Sequence, residues 1–219
     1  MFEYLMPALF MKTWDSTLLG ESLRSVVRIQ RLYARERRVP WGISESAHSG
    51  RDGTLNYQYR AFGVPCCASQ RVQPDDLVIA PYAGVLSVMV DASAATENLR
   101  NMASRGWLAR YGFYEAVDFR SRGGHRRAEV IRAFMAHHQG MSLLALCNAL
   151  LDDPIRKLFH SAPSVAATEL LLHERVPVMA EAAGAEEPLL QELGNLSGAA
   201  EDRTPHLAEA SEVGVAQTE

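Results

Sequence analysis

Helical periodicity in this chain comes in blocks, and two long stretches without any period separate them. Residues 17–38 set Leu18, Leu23, Val26, Val27, Ile29, Leu32 and Tyr33 on a mostly apolar stripe, with Arg and Glu on the other face. That is the pattern of an amphipathic helix burying one side, and Pro40 is expected to end it. A second helical pair follows, one helix starting at Pro81 and one over residues 92–104 that stops at Gly106. Residues 130–152 are strongly apolar with helical spacing, though Gly140 can split them. Shorter helices are expected over 154–160 and 164–174. Residues 40–76 and 107–124 have no such spacing, and they hold many of the Gly, Tyr, Trp and Arg residues. Long loops inside compact domains are usually functional. No run of alternating strands and no βαβ crossover is visible. The expected fold is therefore mainly α, a toroid of helical hairpins with long site-bearing loops at one end.

Bulk numbers bound the rest. At 219 residues with 47% hydrophobic and 22% charged residues, the chain is long enough to bury a core. Charge is unevenly spread: residues 180–219 hold nine acidic residues and one arginine, so the remainder is net positive against an overall −4. We expect residues 1–178 to form the folded unit and 179–219 to be an acidic, mostly disordered tail. The arginines are scattered rather than gathered on one stripe, which argues against nucleic acid. Cys66, Cys67 and Cys147 are odd in number and lack metal-ligand spacing, so no disulfide framework is expected and a reducing, cytoplasmic setting is. No stretch is apolar and long enough to span a bilayer.

Three carboxylates fall among rings and turns: Glu3 in Phe-Glu-Tyr-Leu-Met-Pro, Glu45 in Trp-Gly-Ile-Ser-Glu-Ser, and Glu115 in Tyr-Gly-Phe-Tyr-Glu-Ala. Aromatic walls offer sugar rings a flat surface and can raise an acid's pKa, and paired carboxylates in such walls carry glycoside chemistry. Glu45 is the strongest candidate, with Trp41 available to desolvate it. Its alternative is a helix start in which Ser44, Glu45 and Ser46 sit near the positive dipole end. Glu115 can instead hold a neighbouring Arg, and Glu3 can belong to a core turn. In Asn56-Tyr-Gln-Tyr-Arg, an extended backbone puts Tyr57 and Tyr59 on one face and Arg60 on the other. Either face can line a sugar subsite or form an edge strand. His137 and His138 are adjacent, so they point apart on a helix and no third ligand is spaced nearby; no metal is expected. One of the two is expected to be structural. His137 and Gln139 are the candidates for contacting sugar hydroxyls.

Together, Phe-Glu-Tyr-Leu-Met-Pro, Val-Pro-Trp-Gly-Ile-Ser-Glu-Ser-Ala, Tyr-Gln-Tyr-Arg-Ala-Phe-Gly-Val-Pro, Val-Ile-Ala-Pro-Tyr-Ala, Tyr-Gly-Phe-Tyr-Glu-Ala and Met-Ala-His-His-Gln-Gly-Met-Ser-Leu resemble the glycoamylase-like domain of cyclic β-1,2-glucan synthases, which is related to β-1,2-glucanases. The resemblance implies an (α/α)6 toroid acting on β-1,2-glucan by hydrolysis or cyclising transglycosylation, without a cofactor. It implies Glu45, Glu115 and Glu3 as acidic residues of the cleft, and Trp41, Tyr57, Tyr59, Arg60, His137 and Gln139 as sugar contacts. Six hairpins need about twice the helices visible here, so the chain resembles the C-terminal half of that domain. An upstream half, or a larger synthase, is then an expected partner beside the glucan, and only such a synthase would bring membrane association. A remnant that binds carbohydrate without turning it over is the alternative.

Overall fold

The computed structural model describes residues 1–68, 76–122, 125–126 and 128–175. The acidic segment expected to be disordered lies outside the described residues.

A short helix α1 (Phe2–Leu5) leads through a 3-10 turn at Pro7–Leu9 to the long helix α2 (Leu18–Arg37). Thr17 caps α2 by accepting from the Gly20 N–H at 3.2 Å. Termination differs from expectation: Arg38 takes the left-handed conformation at φ 56° and closes the last turn two residues before Pro40. The buried stripe differs too. Leu18 is exposed, while Gln30 is fully buried beside Leu23, Val26, Val27, Leu32 and Tyr33.

The first irregular stretch contains a hairpin of β1 (Ser46–Arg51) and β2 (Tyr57–Arg60), bulged between His48 and Arg51. Then come β3 (Val78–Ile79), α3 (Pro81–Leu86) and α4 (Ala92–Ser104). Asp91 caps α4 by accepting from Ala94 N–H at 3.0 Å, and both bounds of α4 match the sequence expectation. The second irregular stretch is built of small strands: β4 (Leu108–Ala109), β5 (Gly112–Phe113), β6 (Ala116–Asp118), β7 (Ser121–Arg122), β8 (His125–Arg126) and β9 (Glu129–Ile131). Helices α5 (Ala136–Leu150), α6 (Pro154–His160) and α7 (Pro163–Thr168) finish the described chain with a 3-10 turn at Glu169–His173.

The expectation of no sheet is therefore corrected. β3, β6 and β9 form an antiparallel sheet in that order, and three hairpins flank it. Each strand has two to six residues, too short for alternation to stand out against turn residues. The apolar residues 130–131 likewise pair with β6 rather than opening a helix, and α5 begins after Met135. Gly140 sits inside α5 without interrupting it. Two apolar cores result. One joins α1, α2, α3 and α4 through Leu5, Leu9, Leu23, Val26, Trp41 and Leu86. The other lies under the sheet, around Ile43, Ile79, Trp107, Val117 and Ile131. The chain between Trp41 and Glu45 passes from one core to the other.

Candidate active site

Two buried amides hold that passage. Gln30 on α2 donates from Nε2 to the Ile43 carbonyl and accepts the Ile43 N–H at Oε1, both at 2.9 Å. Asn98 on α4 does the same to Trp41, accepting its N–H at 3.1 Å and donating to its carbonyl at 2.8 Å. Each side chain imitates the edge of a strand, so the backbone groups find partners where water is excluded. Between them Gly42 lies at φ +133°, and a Cβ there would sit 3.1 Å from the Ala80 carbonyl oxygen. Only glycine fits this close crossing without strain. Nothing in the helical pattern marks Gln30 or Asn98; a polar residue on an otherwise apolar face was the available signal.

The clamped segment ends at Glu45, which is half-buried in a loop, not at a helix start. Phe2 N–H on α1 donates to Ser44 Oγ at 2.9 Å; Ser44 Oγ and the Tyr82 hydroxyl are 2.8 Å apart; Tyr82 donates to the Glu45 carbonyl at 3.1 Å. Burial drives the Tyr82 phenol up, so its proton stays on the oxygen. Glu45 opens into a small cavity of about 30 Å³ that Glu3, Phe2, Ser44, Phe62 and Cys67 also line. Glu3 is exposed at its mouth. The structure thus brings Glu3 and Glu45 to one pocket.

Glu115 lies behind this pocket. It is 2% exposed; Oε1 accepts from the Ala47 N–H at 3.2 Å, and Oε2 meets His138 Nδ1 at 2.9 Å. His138 is buried at the start of α5 and stacks on Tyr82 with ring centroids 3.7 Å apart. It is the buried member of the histidine pair. His137 is exposed, its ring centroid 6.1 Å from that of Tyr59, and burial beside His138 lowers its pKa. The Tyr59 hydroxyl donates to Glu45 Oε1 at 2.8 Å and lies 3.2 Å from His138 Nε2. Burial, and then the bond to Glu45, push the Tyr59 phenol far up. Glu45, His137 and His138 each place one ligand-type atom within 4.8 Å of the others. Glu45 therefore comes from a distant segment to join the pair that looked isolated in the sequence. Tyr59 already bonds Glu45 and His138, so the group reads as a hydrogen-bond chain.

The other candidates lie around this group. Tyr57 accepts from Arg51 Nη2 at 3.0 Å under that guanidinium. Arg60 pairs with Asp76 and covers the Phe62 ring at 4.6 Å. Gln139 donates to the Phe113 carbonyl at 3.3 Å and lines a second cavity of about 210 Å³ on the Glu115 side. There Gly112, at φ +107°, lets the chain pass where a Cβ would lie 2.9 Å from Gln139 Oε1. Trp41 is buried in the first core and does not line the Glu45 pocket. It borders a wider groove of about 1070 Å³ between α2 and α4, rimmed by Arg24, Arg28, Arg31 and Arg35. That groove has none of the candidate carboxylates.

One residue of the supporting shell escaped sequence reading. Asp118 on β6 accepts from Ser49 N–H at 3.0 Å, from the Ser49 hydroxyl, and from Arg120 Nη2 at 2.7 Å. Burial alone would raise its pKa, but the Arg120 and Ser49 hydrogen bonds outweigh it and hold the carboxyl well below the usual range. Glu115 and Asp118 together accept Ala47 and Ser49 N–H groups, and so stitch β1 to the sheet.

The glycoamylase family model, described as "Putative glucoamylase", matches residues 1–163. The chain belongs to the glycoamylase family. A curated relative, the cyclic β-(1,2)-glucan synthase NdvB of Rhizobium meliloti, is 42% identical over 180 residues, which are 81% of this chain and 6% of that protein. Among solved structures, a Bacteroides uniformis protein with the same description as the family aligns at a TM-score of 0.52 and 17% identity, over 77% of this chain and 38% of its own. A β-1,2-glucanase from Parabacteroides distasonis aligns at 0.52 and 18%, over 78% of this chain and 24% of its own. These two likenesses establish a shared fold. This glycoamylase-family chain spans well under half the length of each protein it matches. Among its described residues, no helix is long and apolar enough to cross a membrane.

Proposed function

We propose that the chain forms part of a cleft processing β-1,2-glucan, with Glu45 as the acid/base carboxylate. The observation that carries this is Glu45 itself: it sits at the end of a backbone segment fixed by two buried amides, and its carboxylate faces a pocket shared with Glu3. A carboxylate held in place by surrounding structure, and half out of water, suits proton transfer to a glycosidic oxygen. The 42% identity to a cyclic β-(1,2)-glucan synthase supports the substrate class. Glu3 is the second carboxylate of the cleft; Tyr59, bonded to Glu45, and His137 beside it are the sugar contacts. Glu115 acts from behind. Either water or a sugar hydroxyl completes the reaction, giving hydrolysis or cyclising transfer.

The experiment is incubation of the purified chain with linear β-1,2-glucan, followed by chain-length and ring analysis. Shortened or cyclic products that fall by about 100-fold or more in Glu45→Gln, with folding intact, are expected. Unchanged glucan overturns turnover by the lone chain.

A second reading is a carbohydrate-binding unit that needs further helices for turnover, and one observation favours it. Helices α5 and α6 bury polar residues (His138, Asn148, Arg156 and His160) and expose Leu143, Leu146, Leu150, Leu158 and Phe159. An outward leucine face of this kind fits coverage by a further helical half, as expected of a complete (α/α)6 toroid. Glucan binding without product, together with activity once those helices are supplied, would favour this reading.

A further inference from the structure

We propose that Glu115, His138, Tyr59 and Glu45 form a proton relay in which His138 and Glu45 share one exchangeable proton through the Tyr59 hydroxyl. This deepens the reading of Glu45 as the acid and rests on it. Three contacts join the four groups in line: Glu115 Oε2 to His138 Nδ1 at 2.9 Å, His138 Nε2 to Tyr59 Oη at 3.2 Å, and Tyr59 Oη to Glu45 Oε1 at 2.8 Å.

Counting hydrogens shows what the chain can do. Each contact holds one proton, and Tyr59 supplies only one. Its hydroxyl donates to Glu45, so its oxygen must receive a hydrogen from His138 Nε2. With the proton of the Glu115 contact on Nδ1, His138 then carries protons on both nitrogens. The other filled arrangement with that proton on Nδ1 has Glu45 protonated and donating to Tyr59, Tyr59 donating to Nε2, and His138 neutral. Passing from the first to the second takes two hops: Tyr59 gives its proton to Glu45 and takes the one from His138 Nε2. Nothing else is gained or lost, and the charge moves from an imidazolium–carboxylate pair to two neutral groups.

The surroundings favour this exchange. Glu115 is fully enclosed and fixed by the Ala47 N–H, so the Nδ1 proton has a permanent acceptor. Tyr82 stacks flat on the His138 ring and fixes its plane. Tyr59 is partly exposed, so the relay reaches the cleft at one end and is sealed at the other. The titratable groups around it are Tyr82 from α3, His137 from α5 and Glu3 from α1. Starting from the first arrangement, the shared proton passes from His138 through Tyr59 to Glu45 as Glu45 protonates a leaving oxygen, which leaves Glu45 ionised and His138 neutral until a new proton enters at the Glu45 end. Tyr59, His138 and Glu115 are positioning residues in this scheme, and Glu45 alone touches the reacting atoms.

The test uses the full chain with 15N-labelled histidine and 13C-carboxyl glutamate, so it needs no turnover. Two groups that share a proton titrate as a pair. Glu45→Gln is expected to move the His138 midpoint by about 0.5 pH unit or more, and the same substitution in Tyr59→Phe to move it by less than about half as much. Glu115→Gln, which leaves Tyr59 in place, should lower the His138 midpoint by about one unit. Equal displacement with and without the Tyr59 hydroxyl overturns the relay, as does a His138 protonated on Nε2 alone. Where turnover is measured, Tyr59→Phe should lower kcat by about tenfold and shift the pH profile, with KM little changed. A rise in KM with an unmoved profile makes Tyr59 a sugar contact and overturns the relay as well. Intact coupling in a chain that leaves β-1,2-glucan untouched would sink the substrate assignment and keep the relay.

Discussion

The helices on the two sides of this molecule bury opposite kinds of residue. On α2 and α4 the inward face is apolar, and its two polar members, Gln30 and Asn98, spend both ends of their amides on the Trp41–Ile43 backbone. On α5 and α6 the buried residues are His138, Asn148, Arg156 and His160 with one apolar member, Ala145, while Leu143 is 63% exposed, Leu150 75% and Leu158 73%. Those inward polar groups are not idle: Asn148 donates to the Leu9 carbonyl at 2.8 Å, and Arg156 to that of Ala8 at 2.7 Å. The first side is closed and self-sufficient. The second is anchored by hydrogen bonds and leaves its hydrophobic surface for something else. The contrast shows that the Trp41–Glu45 loop depends on α2 and α4 for its geometry, while α5 meets it through His138 and Tyr59.

Breaking the closed side should cost most. Gln30→Leu leaves the Ile43 N–H and carbonyl buried without partners, which is expected to destabilise the chain by about 3 kcal/mol; urea unfolding at neutral pH measures it. A loss under about 1 kcal/mol would mean that water or a shifted loop satisfies those groups, and the clamp would cease to explain Glu45's position. Asp118→Asn is expected to cost about 2 kcal/mol at pH 7 by weakening its charged bonds to Arg120 and Ser49.

The sign of the pH effect follows from the direction of the Asp118 shift. Its folded pKa is depressed, so its contribution is complete above the unfolded carboxylate range, near pH 4, and is lost as pH falls through the lower folded value. Stability of the parent and Asp118→Asn chains should therefore converge below about pH 4; parallel curves down to pH 2 would contradict the assignment. Smallest of all should be Leu150→Ser and Leu158→Ser on the open side, each within about 0.5 kcal/mol in the lone chain because little area is buried there. Their effect should appear in light scattering, as weaker self-association. A cost above 1 kcal/mol would show that this face is already covered.

Legibility in the sequence followed element length. Helix α4 was readable to the residue, because Asp91 and Gly106 punctuate a clear helical repeat. Helix α5 was read with its start misplaced: Val130 and Ile131 are apolar because they sit in a sheet, and a three-residue strand has no period of its own to reveal that. Glu45 and Tyr59 were legible as candidates from their aromatic and glycine-rich neighbours. Asp118, Gln30 and Asn98 were not, because each acts on a backbone group far along the chain. The adjacency of His137 and His138 suggested that they point apart, whereas their rings lie 4.1 Å from each other, and it gave no hint that Glu45 and Tyr59 would meet them.

The amino-acid order alone marked the longer helices, the three places where acids are set among rings, and the family that the quoted blocks resemble. Local periodicity and short motifs need only neighbours in the chain, so both are written there. Tertiary packing decided that Glu45 shares a pocket with Glu3 while Glu115 is fully buried, that Trp41 belongs to the core, and that Tyr59 joins Glu45 to His138. Those outcomes depend on contacts between residues dozens of positions apart, whose burial is fixed only when the loops close over the two cores.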